Sequence, residues 1–153
     1  MKNKVPVYFF VVFLIAFALN LVWEFAHSPL YDWNTAPLRP ETGFYISRIL
    51  LSTLGDGVLM ILIFAFTSLI NKTTQWIENP RATDYLLISA LGLVLAVLIE
   101  IKAKVLNQWT YTNSMPTIAG IGISPLLQLA LTGMLTAYLA KGAVKLLTKN
   151  RKI

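Results

Sequence analysis

The sequence predicts an all-α membrane protein, a polytopic bundle of four helices that each cross the bilayer. Hydrophobic residues make up 56% of the 153 residues, and the mean hydropathy of +0.65 is too high for an ordinary soluble domain. Four apolar runs each reach the roughly 20 residues that a helix needs to cross a hydrocarbon core about 30 Å thick. The runs are 5–27, 45–70, 85–108 and 122–147. Because lipid offers backbone groups no hydrogen-bond partners, we expect each run to be helical and residues 1–153 to form one membrane domain.

The first run has the features of a retained span rather than of a signal peptide. Its apolar stretch of about 20 residues exceeds the usual 7–15 residues of a signal sequence, and no cleavage pattern of small residues follows it. The run turns polar near its end, at Asn20, Glu24 and His27, and the Ser-Pro pair that follows is expected to end the helix. The next loop, 30–44, is long for a helix connection, which suggests a lid over a binding site.

The second run, which we expect to begin near Tyr45, carries Arg48 and the triplet Gly55-Asp56-Gly57. A phosphate-binding loop is one interpretation of the triplet, but the triplet lies inside a spanning run and lacks the strand–loop–helix context. Close helix packing by glycines around a buried polar residue is the structural alternative. Asp56 is the residue that is hardest to explain by structure alone.

The third and fourth runs are joined by a loop that lies on the same side of the membrane as loop 30–44. The third run ends in Glu100 and Lys104, whose spacing favours an ion pair on one helix face. Trp109 and Tyr111 in this loop, like Trp33 in loop 30–44, belong either to an aromatic belt at the membrane surface or to the wall of a binding site. The fourth run carries Gln128, which either forms hydrogen bonds between helices or acts as a functional group.

The distribution of lysine and arginine predicts that both termini are cytoplasmic. Nine of the thirteen would then lie on the cytoplasmic side: Lys2, Lys4, Lys72, Arg81, Lys141, Lys145, Lys149, Arg151 and Lys152. The other four are Arg39, Arg48, Lys102 and Lys104. This bias is the positive-inside rule, and it accounts for the net charge of +6 without a nucleic-acid partner. The absence of cysteine excludes disulfides and thiol chemistry.

Each predicted helix carries its polar side chains on one stripe, so a bundle can turn all four stripes inward. At about 1.5 Å rise per residue, Asp56 lies roughly 16 Å below the outer end of its helix, while Glu24, Glu100 and Gln128 lie about 6–12 Å deep. A charged side chain at mid-membrane costs roughly 2.5–3.5 kcal/mol by insertion scales, so a chain that carries several is expected to use them. The stripes predict a pocket in the outer half of the bilayer, open outward or sideways.

The polar constellation divides into candidate catalytic and candidate substrate-binding residues. The catalytic candidates are Glu24, His27, Asp56 and Glu100. The substrate-binding candidates are Asn20, Trp23, Tyr31, Arg48, Lys104, Asn107, Trp109, Tyr111 and Gln128. Three carboxylates in a dry pocket cannot all stay charged without compensation, and a protonated acid beside an ionised one is what acid–base chemistry requires.

This pattern demands no cofactor, but it is compatible with a divalent metal. Glu24-x-x-His27 has the spacing of metal sites in helical bundles, although those sites use the motif twice and this chain has one histidine. A mononuclear site of Glu24, His27, Asp56 and Glu100 would suit iron, manganese or zinc. The alternative role for His27 is that of a hydrogen-bonding or acid–base group.

Three strings of residues carry a resemblance to known families. They are Asn20-x-x-Trp23-Glu24-x-x-His27-Ser28-Pro29-Leu30-Tyr31, Trp109-x-Tyr111-x-x-x-Met115-Pro116 and Pro125-Leu126-Leu127-Gln128. Over most of its length the chain resembles a small four-span prokaryotic membrane protein family of uncharacterised activity, which implies a multi-pass protein of the prokaryotic inner membrane. The segment with Trp109 and Tyr111 also resembles small membrane carotenoid cyclases. Two leucines follow Pro125 where that family has two glutamates, so no functional residue is transferred.

The leading hypothesis is an integral membrane enzyme that uses acid–base chemistry, with or without a metal, on a lipid or isoprenoid-like substrate. Isomerisation, cyclisation and hydrolysis are the candidate reactions. The rival is a small proton- or cation-coupled transporter, which needs a water path through the apolar inner halves of the helices. A third class is a non-catalytic accessory or binding subunit. The expected partners are membrane lipids, a lipophilic small molecule and a second copy of the chain.

Overall fold

The chain folds into four long helices, which confirms the predicted all-α four-helix bundle. The computed structural model describes residues 4–35 and 42–149; of the charges counted above, Lys2, Arg39, Arg151 and Lys152 lie outside these ranges. The helices are α1 (Val5–His27), α2 (Thr42–Asn71), α3 (Ala82–Val105) and α4 (Ile123–Lys149). All four are long and apolar enough to cross a membrane, as expected of a multi-pass membrane protein.

Short elements lie at both ends of the bundle. A 3₁₀ turn at Ser28–Leu30 and a small antiparallel hairpin, β1 (Thr117–Ile118) and β2 (Ile121–Gly122), lie at the end we call the loop end. A second 3₁₀ turn, Gln75–Glu78, lies at the opposite end, where α1 begins and α4 ends; we call this the terminal end.

Helix α4 differs from its predicted bounds by one residue at its start and two at its end, and two other helices differ by three residues. Helix α2 begins at Thr42 rather than near Tyr45, and α3 spans Ala82–Val105 rather than 85–108. Helix α3 begins early because the Asp84 carboxylate accepts the backbone N–H of Arg81 at 2.8 Å, which caps the first turn. It ends early because Asn107 adopts a left-handed conformation with φ of +49°, and Gln108 N–H then bonds back to Ala103 O at 2.9 Å. Neither the Asp84 cap nor the left-handed Asn107 can be detected from hydropathy.

The helices pack unequally around the bundle. Helix α1 packs against α2 and α4, and α4 packs against α3, whereas α2 and α3 contact each other much less extensively. Glycines mark the close approaches: a Cβ at Gly57 of α2 would lie 2.9 Å from the Phe13 ring of α1. A Cβ at Gly92 of α3 would lie 2.8 Å from the α4 backbone at Leu129 and Ala130. The bundle is therefore tight at three helix interfaces and loose at the α2–α3 interface.

The half of the bundle toward the terminal end is filled with packed apolar side chains. Buried residues from all four helices form this core, among them Val12, Met60, Phe64, Ile88 and Val144. The half toward the loop end contains the buried polar side chains that the sequence places on the helix stripes. The fold thus separates an apolar core from a polar one along the bundle axis.

At the loop end, two connecting segments are joined by backbone hydrogen bonds. Tyr31 and Tyr111 form an isolated antiparallel bridge. On either side, Asp32 N–H donates to Thr110 O at 2.9 Å and Thr112 N–H donates to Leu30 O at 2.9 Å. We call residues 28–35 and 109–112 the loop clasp. Of the lid expected at 30–44, residues 36–41 lie outside the described ranges.

Candidate active site

A cavity of about 220 Å³ lies beneath the loop clasp. All four helices contribute to its wall, and its roof is made by aromatic side chains of the clasp. Its polar lining includes Glu24 of α1, Arg48, Ser52 and Asp56 of α2, Glu100 of α3 and Gln128 of α4. The structure therefore brings three acidic side chains, one arginine and one amide from four helices around a single space.

Gln128 is the hub of this polar cluster. Its Nε2 lies 2.7 Å from Asp56 Oδ2, 2.9 Å from Glu24 Oε1 and 3.2 Å from Asn20 Oδ1. A primary amide has only two N–H donors, so the three acceptors share them. Because Glu24 and Asp56 contact the same nitrogen, their carboxyl groups lie side by side in the cavity wall.

Asn20 and Thr132 lie one layer below the hub and support it. Asn20 is fully buried, and its amide nitrogen donates to Ala16 O at 2.9 Å. The Thr132 hydroxyl lies 3.2 Å from Asn20 Oδ1 and 2.8 Å from Gln128 O. Asn20 was predicted to bind substrate, but it does not line the cavity. Its contacts are those of a residue that positions Gln128.

His27 lies behind Glu24, away from the cavity lining. Its Nδ1 is 3.1 Å from Ser124 Oγ, and its Nε2 is 3.4 Å from Glu24 Oε2 without the alignment of a hydrogen bond. The ring is buried and meets Tyr31 edge-on at 5.3 Å between centroids. The order Ser124–His27–Glu24 forms a short polar chain that leads from the cavity wall to the start of α4.

Glu100 is held by aromatic donors of the clasp rather than by a cation. The Tyr111 hydroxyl and the Trp109 indole N–H, the latter at 3.4 Å, both contact Glu100 Oε2. The predicted Glu100–Lys104 pair is wrong: Lys104 Nζ lies 3.5 Å from the carbonyl oxygens of Ala119 and Gly120. The lysine points to the exposed loop because Trp109 and Tyr111 already donate hydrogen bonds to the Glu100 carboxylate.

A second cavity, of about 180 Å³, lies beside the first at the loop end. Its lining includes Lys104, Asn107 and Tyr111, and it shares Glu100 and Trp109 with the larger cavity. The two shared side chains therefore form the partition between the cavities. Lys104 and Asn107 face this second space and not the cluster around Gln128.

The two tyrosines of the loop clasp have raised pKa values. Burial raises the pKa of Tyr31 well above its ordinary value, and the nearby Glu100 and Glu24 raise it further. Burial, with the hydrogen bond to Glu100, raises the pKa of Tyr111 to about 12. At neutral pH the Tyr111 phenol is thus a donor to Glu100.

Aromatic rings form the roof of the larger cavity. Tyr31, Trp33 and Trp109 line it, and the Arg48 guanidinium lies 5.7 Å from the centre of the Trp109 ring. Trp33 also contacts Tyr45 at 4.6 Å between ring centroids. Arg48 has no ion pair among residues 4–35 and 42–149, so it is a cation held in the cavity wall by an aromatic face.

The predicted site residues thus fall into three groups. Seven line the larger cavity: Glu24, Tyr31, Arg48, Asp56, Glu100, Trp109 and Gln128. Three line only the smaller one: Lys104, Asn107 and Tyr111. Asn20, Trp23 and His27 line neither cavity. The Trp23 ring lies 6.3 Å from the His27 ring, and its buried indole N–H has no hydrogen-bond partner in the described parts of the chain.

The four-residue metal set is not assembled. Within the described ranges, no three His, Cys, Asp or Glu side chains are close enough to hold one ion. Glu100 is separated from the Glu24–Asp56 pair by its bonds to Tyr111 and Trp109. His27 Nε2 lies 3.4 Å from Glu24 Oε2 and forms no ion pair with the other two acids.

Ser124 and Trp33 belong to the site but were not among the candidate catalytic or substrate-binding residues, although Trp33 was expected either in an aromatic belt or in the wall of the site. Ser124 contacts His27, and its position one turn before Gln128 on the same face of α4 was the available signal. Trp33 lines the cavity and donates its indole N–H to Ser28 O at 2.8 Å. Only the folded loop reveals this contact, because no periodic pattern fixes an irregular segment.

Comparison of the chain with protein-family models, with curated proteins and with solved structures found no match.

Proposed function

We propose that this protein is an integral membrane enzyme that performs acid–base chemistry on a lipid or isoprenoid-like substrate in the larger cavity. The observation that carries the proposal is the pairing of Glu24 and Asp56 on one neutral amide, Gln128. In proteins, a buried carboxylate is normally paired with a cation or with several hydrogen-bond donors. Two adjacent carboxyl groups without a matching cation are poor structural elements but a useful acid–base pair.

The pair supplies an acid and a base together. Two ionised carboxylates side by side in an apolar cavity repel each other, so a proton shared between Glu24 and Asp56 is favourable. One group can then donate a proton to the substrate while the other removes one, as in isomerisation or cyclisation. The polar chain through His27 and Ser124 supports Glu24 as the base, because it offers that carboxylate a route for its proton.

Glu100 is the third acid of the proposed site and the alternative proton donor. The Tyr111 hydroxyl and the Trp109 indole fix its carboxyl group at the edge of the cavity. Arg48 is the cavity cation, and we assign it to orienting a polar or anionic part of the substrate. The proposed site thus combines proton-transfer groups with one orienting charge.

The terminal half of the bundle favours an enzyme over a transporter. A transporter needs a second water path, and in the described residues that half is occupied by the apolar core around Phe64 and Ile88. A passive accessory subunit, in turn, has no need of adjacent carboxylates in its interior. We further propose that the protein lies in a prokaryotic inner membrane with both termini in the cytoplasm, as its lysines and arginines predict. A second copy of the chain remains a candidate partner.

The test uses purified wild-type chain in vesicles of a total prokaryotic lipid extract, incubated in D₂O or in ¹⁸O-labelled water. Isomerisation or cyclisation leaves solvent deuterium on carbon, and hydrolysis leaves solvent oxygen in the product. Mass spectrometry of the extract then identifies the substrate by its label. We expect Glu24→Gln, Asp56→Asn and Glu100→Gln each to lower labelling by about 100-fold or more, the usual contribution of a general acid or base.

Asp32→Asn is the matched control for this experiment. Asp32 lies in the clasp but outside the cavity lining, and its Oδ1 accepts Asn34 N–H at 3.0 Å, which an asparagine oxygen can also do. This variant should label lipids as the wild type does. Labelling that survives in all three amide variants would rule out the proposal, and so would a wild type that labels no lipid.

A further inference from the structure

The α2–α3 side is the least tightly packed wall of the larger cavity. Much of that wall comes from these two helices, through residues that include Ser52, Gly55 and Leu59 on α2 and Ala96 and Ile99 on α3. These are the two neighbouring helices that contact each other least. The loosest interface of the bundle therefore coincides with the position of the cavity.

The two glycines beside Asp56 show where this interface is open. A side chain at Gly57 would collide with Phe13 of α1, whereas a Cβ at Gly55 meets nothing within 4 Å. Gly55 is exposed on the surface of α2 and also lines the cavity. At this residue no side chain fills the space between the cavity lining and the surface of α2.

Among residues 4–35 and 42–149, two other routes into the cavity are obstructed. On the loop end, the clasp covers the cavity with Tyr31, Trp33 and Trp109, and its two segments are tied by backbone hydrogen bonds. On the terminal side, the packed apolar core lies beneath the Asn20 layer. A ligand that approaches from the hydrocarbon phase meets neither obstacle.

The size of the cavity limits what can lie inside it. Its volume of about 220 Å³ is below the roughly 300–1,000 Å³ of sites that enclose a drug-sized ligand. A membrane amphiphile therefore cannot be enclosed whole. Its polar head fits beside the Gln128 cluster, while its chain must extend outward past Ile49, Leu59 and Ile99, which belong to the apolar part of the lining.

We propose that the gap beside Gly55, between α2 and α3, is where the hydrocarbon chain of a membrane amphiphile leaves the cavity while its polar head stays inside. The chain then lies on the lipid-facing surface of the bundle, in contact with bilayer lipid. This inference rests on the proposed function for its substrate class, and it adds the route of access and the orientation of the bound molecule.

The test measures binding rather than turnover, on the full chain in phosphatidylcholine nanodiscs. The probe is a monoacylglycerol with bromine atoms near its head, which quenches tryptophan fluorescence on contact; Trp33 and Trp109 line the cavity. Unbrominated monoacylglycerol competes for the same site. We expect saturable quenching in the wild type, and we expect Gly55→Phe to weaken it by about tenfold or more because the phenyl ring fills the gap.

Gly142→Phe is the matched control. Gly142 is also an exposed helical glycine with nothing within 4 Å of an added Cβ, but it lies on α4 outside the cavity lining. This variant should bind the probe within about twofold of the wild type. Gly55→Leu, which is smaller and has good helix propensity, replaces Gly55→Phe if the latter does not fold, as judged by circular dichroism.

Three outcomes would overturn the inference: quenching that does not saturate in the wild type, unchanged binding in the folded Gly55 variant, or an equal loss in Gly142→Phe. The proposed function fails separately. A wild type that binds the probe saturably but labels no lipid would contradict the proposed function alone, whereas a folded Gly55→Phe chain that labels lipid normally would contradict the access route alone.

Discussion

At the terminal end of the bundle the acidic side chains face cations, whereas at the loop end the three cavity acids face neutral donors and one histidine. Asp84 is bonded to Arg81 and to the Asn71 amide, and Glu78 contacts Lys4 and the Tyr8 hydroxyl. At the loop end, by contrast, Arg48 lies against the Trp109 ring. The Glu24 and Asp56 carboxyl groups contact the Gln128 amide, and Glu100 contacts Trp109 and Tyr111.

The difference separates two uses of acidic residues in one small protein. An acidic side chain paired with a cation at a helix end stabilises a turn, and removing it lowers the free energy of unfolding. Unmatched acids inside a membrane bundle are destabilising unless a ligand or a proton compensates, so their retention points to activity. Under the proposed function, the acids of the terminal end stabilise the fold and those of the loop end carry the activity.

The largest expected effect concerns the side of the membrane on which each end lies. The chain has no cysteine, so single cysteines report position without background. We expect Asn113→Cys at the loop end to react fully with a membrane-impermeant maleimide in intact cells. Gln75→Cys at the terminal end should react only after the membrane is permeabilised. Both residues are exposed. The reverse pattern would place the termini outside and the cavity toward the cytoplasm.

The next effect compares stability at the two ends with the same substitution. Asp84→Ala removes the acceptor of Arg81 N–H and of the Asn71 amide, both at 2.8 Å, and should lower the free energy of unfolding by about 1–3 kcal/mol. Asp56→Ala should leave it unchanged or raise it, because Glu24 loses a repulsive neighbour and Gln128 keeps two acceptors. Unfolding in dodecyl sulfate, followed by circular dichroism, measures both. Equal destabilisation would remove the distinction between the ends.

The smallest effect is the pH dependence of the two ends. The hydrogen bond from Tyr8, with Lys4 nearby, holds the pKa of Glu78 below its ordinary value. Because the folded pKa is the lower one, this contribution is present above the unfolded pKa of about 4.3 and is lost as the pH falls through the folded value. We expect a loss of about 1 kcal/mol or less on acidification, since the contact is near the surface. Glu78→Gln should abolish that part of the acid dependence.

At the loop end the sign is opposite. The pKa of Tyr111 is raised to about 12, so its contribution is present below the unfolded value of about 10 and is lost between pH 10 and 12. Phenolate absorbance in wild type and Tyr111→Phe would measure the titration. A Tyr111 signal that titrates at its ordinary value would break the contrast between the two ends.

The helical architecture could be predicted from the sequence because the length and hydropathy of the apolar runs decide it. Four runs of about 20 apolar residues leave few alternatives in lipid. Helix period was also sufficient to place Glu24, Asp56 and Gln128 on facing stripes, since these residues lie in regular helix where 100° per residue holds. The bounds of α3 were misjudged, because the Asp84 cap and the left-handed Asn107 act locally and are invisible to hydropathy.

The parts of the site that depend on loops were beyond sequence reasoning. Spacing along α3 favoured Glu100–Lys104, but the competing partners Trp109 and Tyr111 come from a loop whose path is set by the bridge to Tyr31. A pairing between two distant loops depends on how the helices pack, which no local pattern encodes. The orientation in the membrane and the activity remain predictions.

The loop clasp has a consequence for how the protein is made. It joins the connection after α1 to the connection after α3, so it can close only after α3 has been made. Glu24 and Asp56 receive the amide of Gln128 later still, because that residue lies on α4, the last helix of the bundle. An N-terminal half made without α4 would therefore leave both acids without this shared donor.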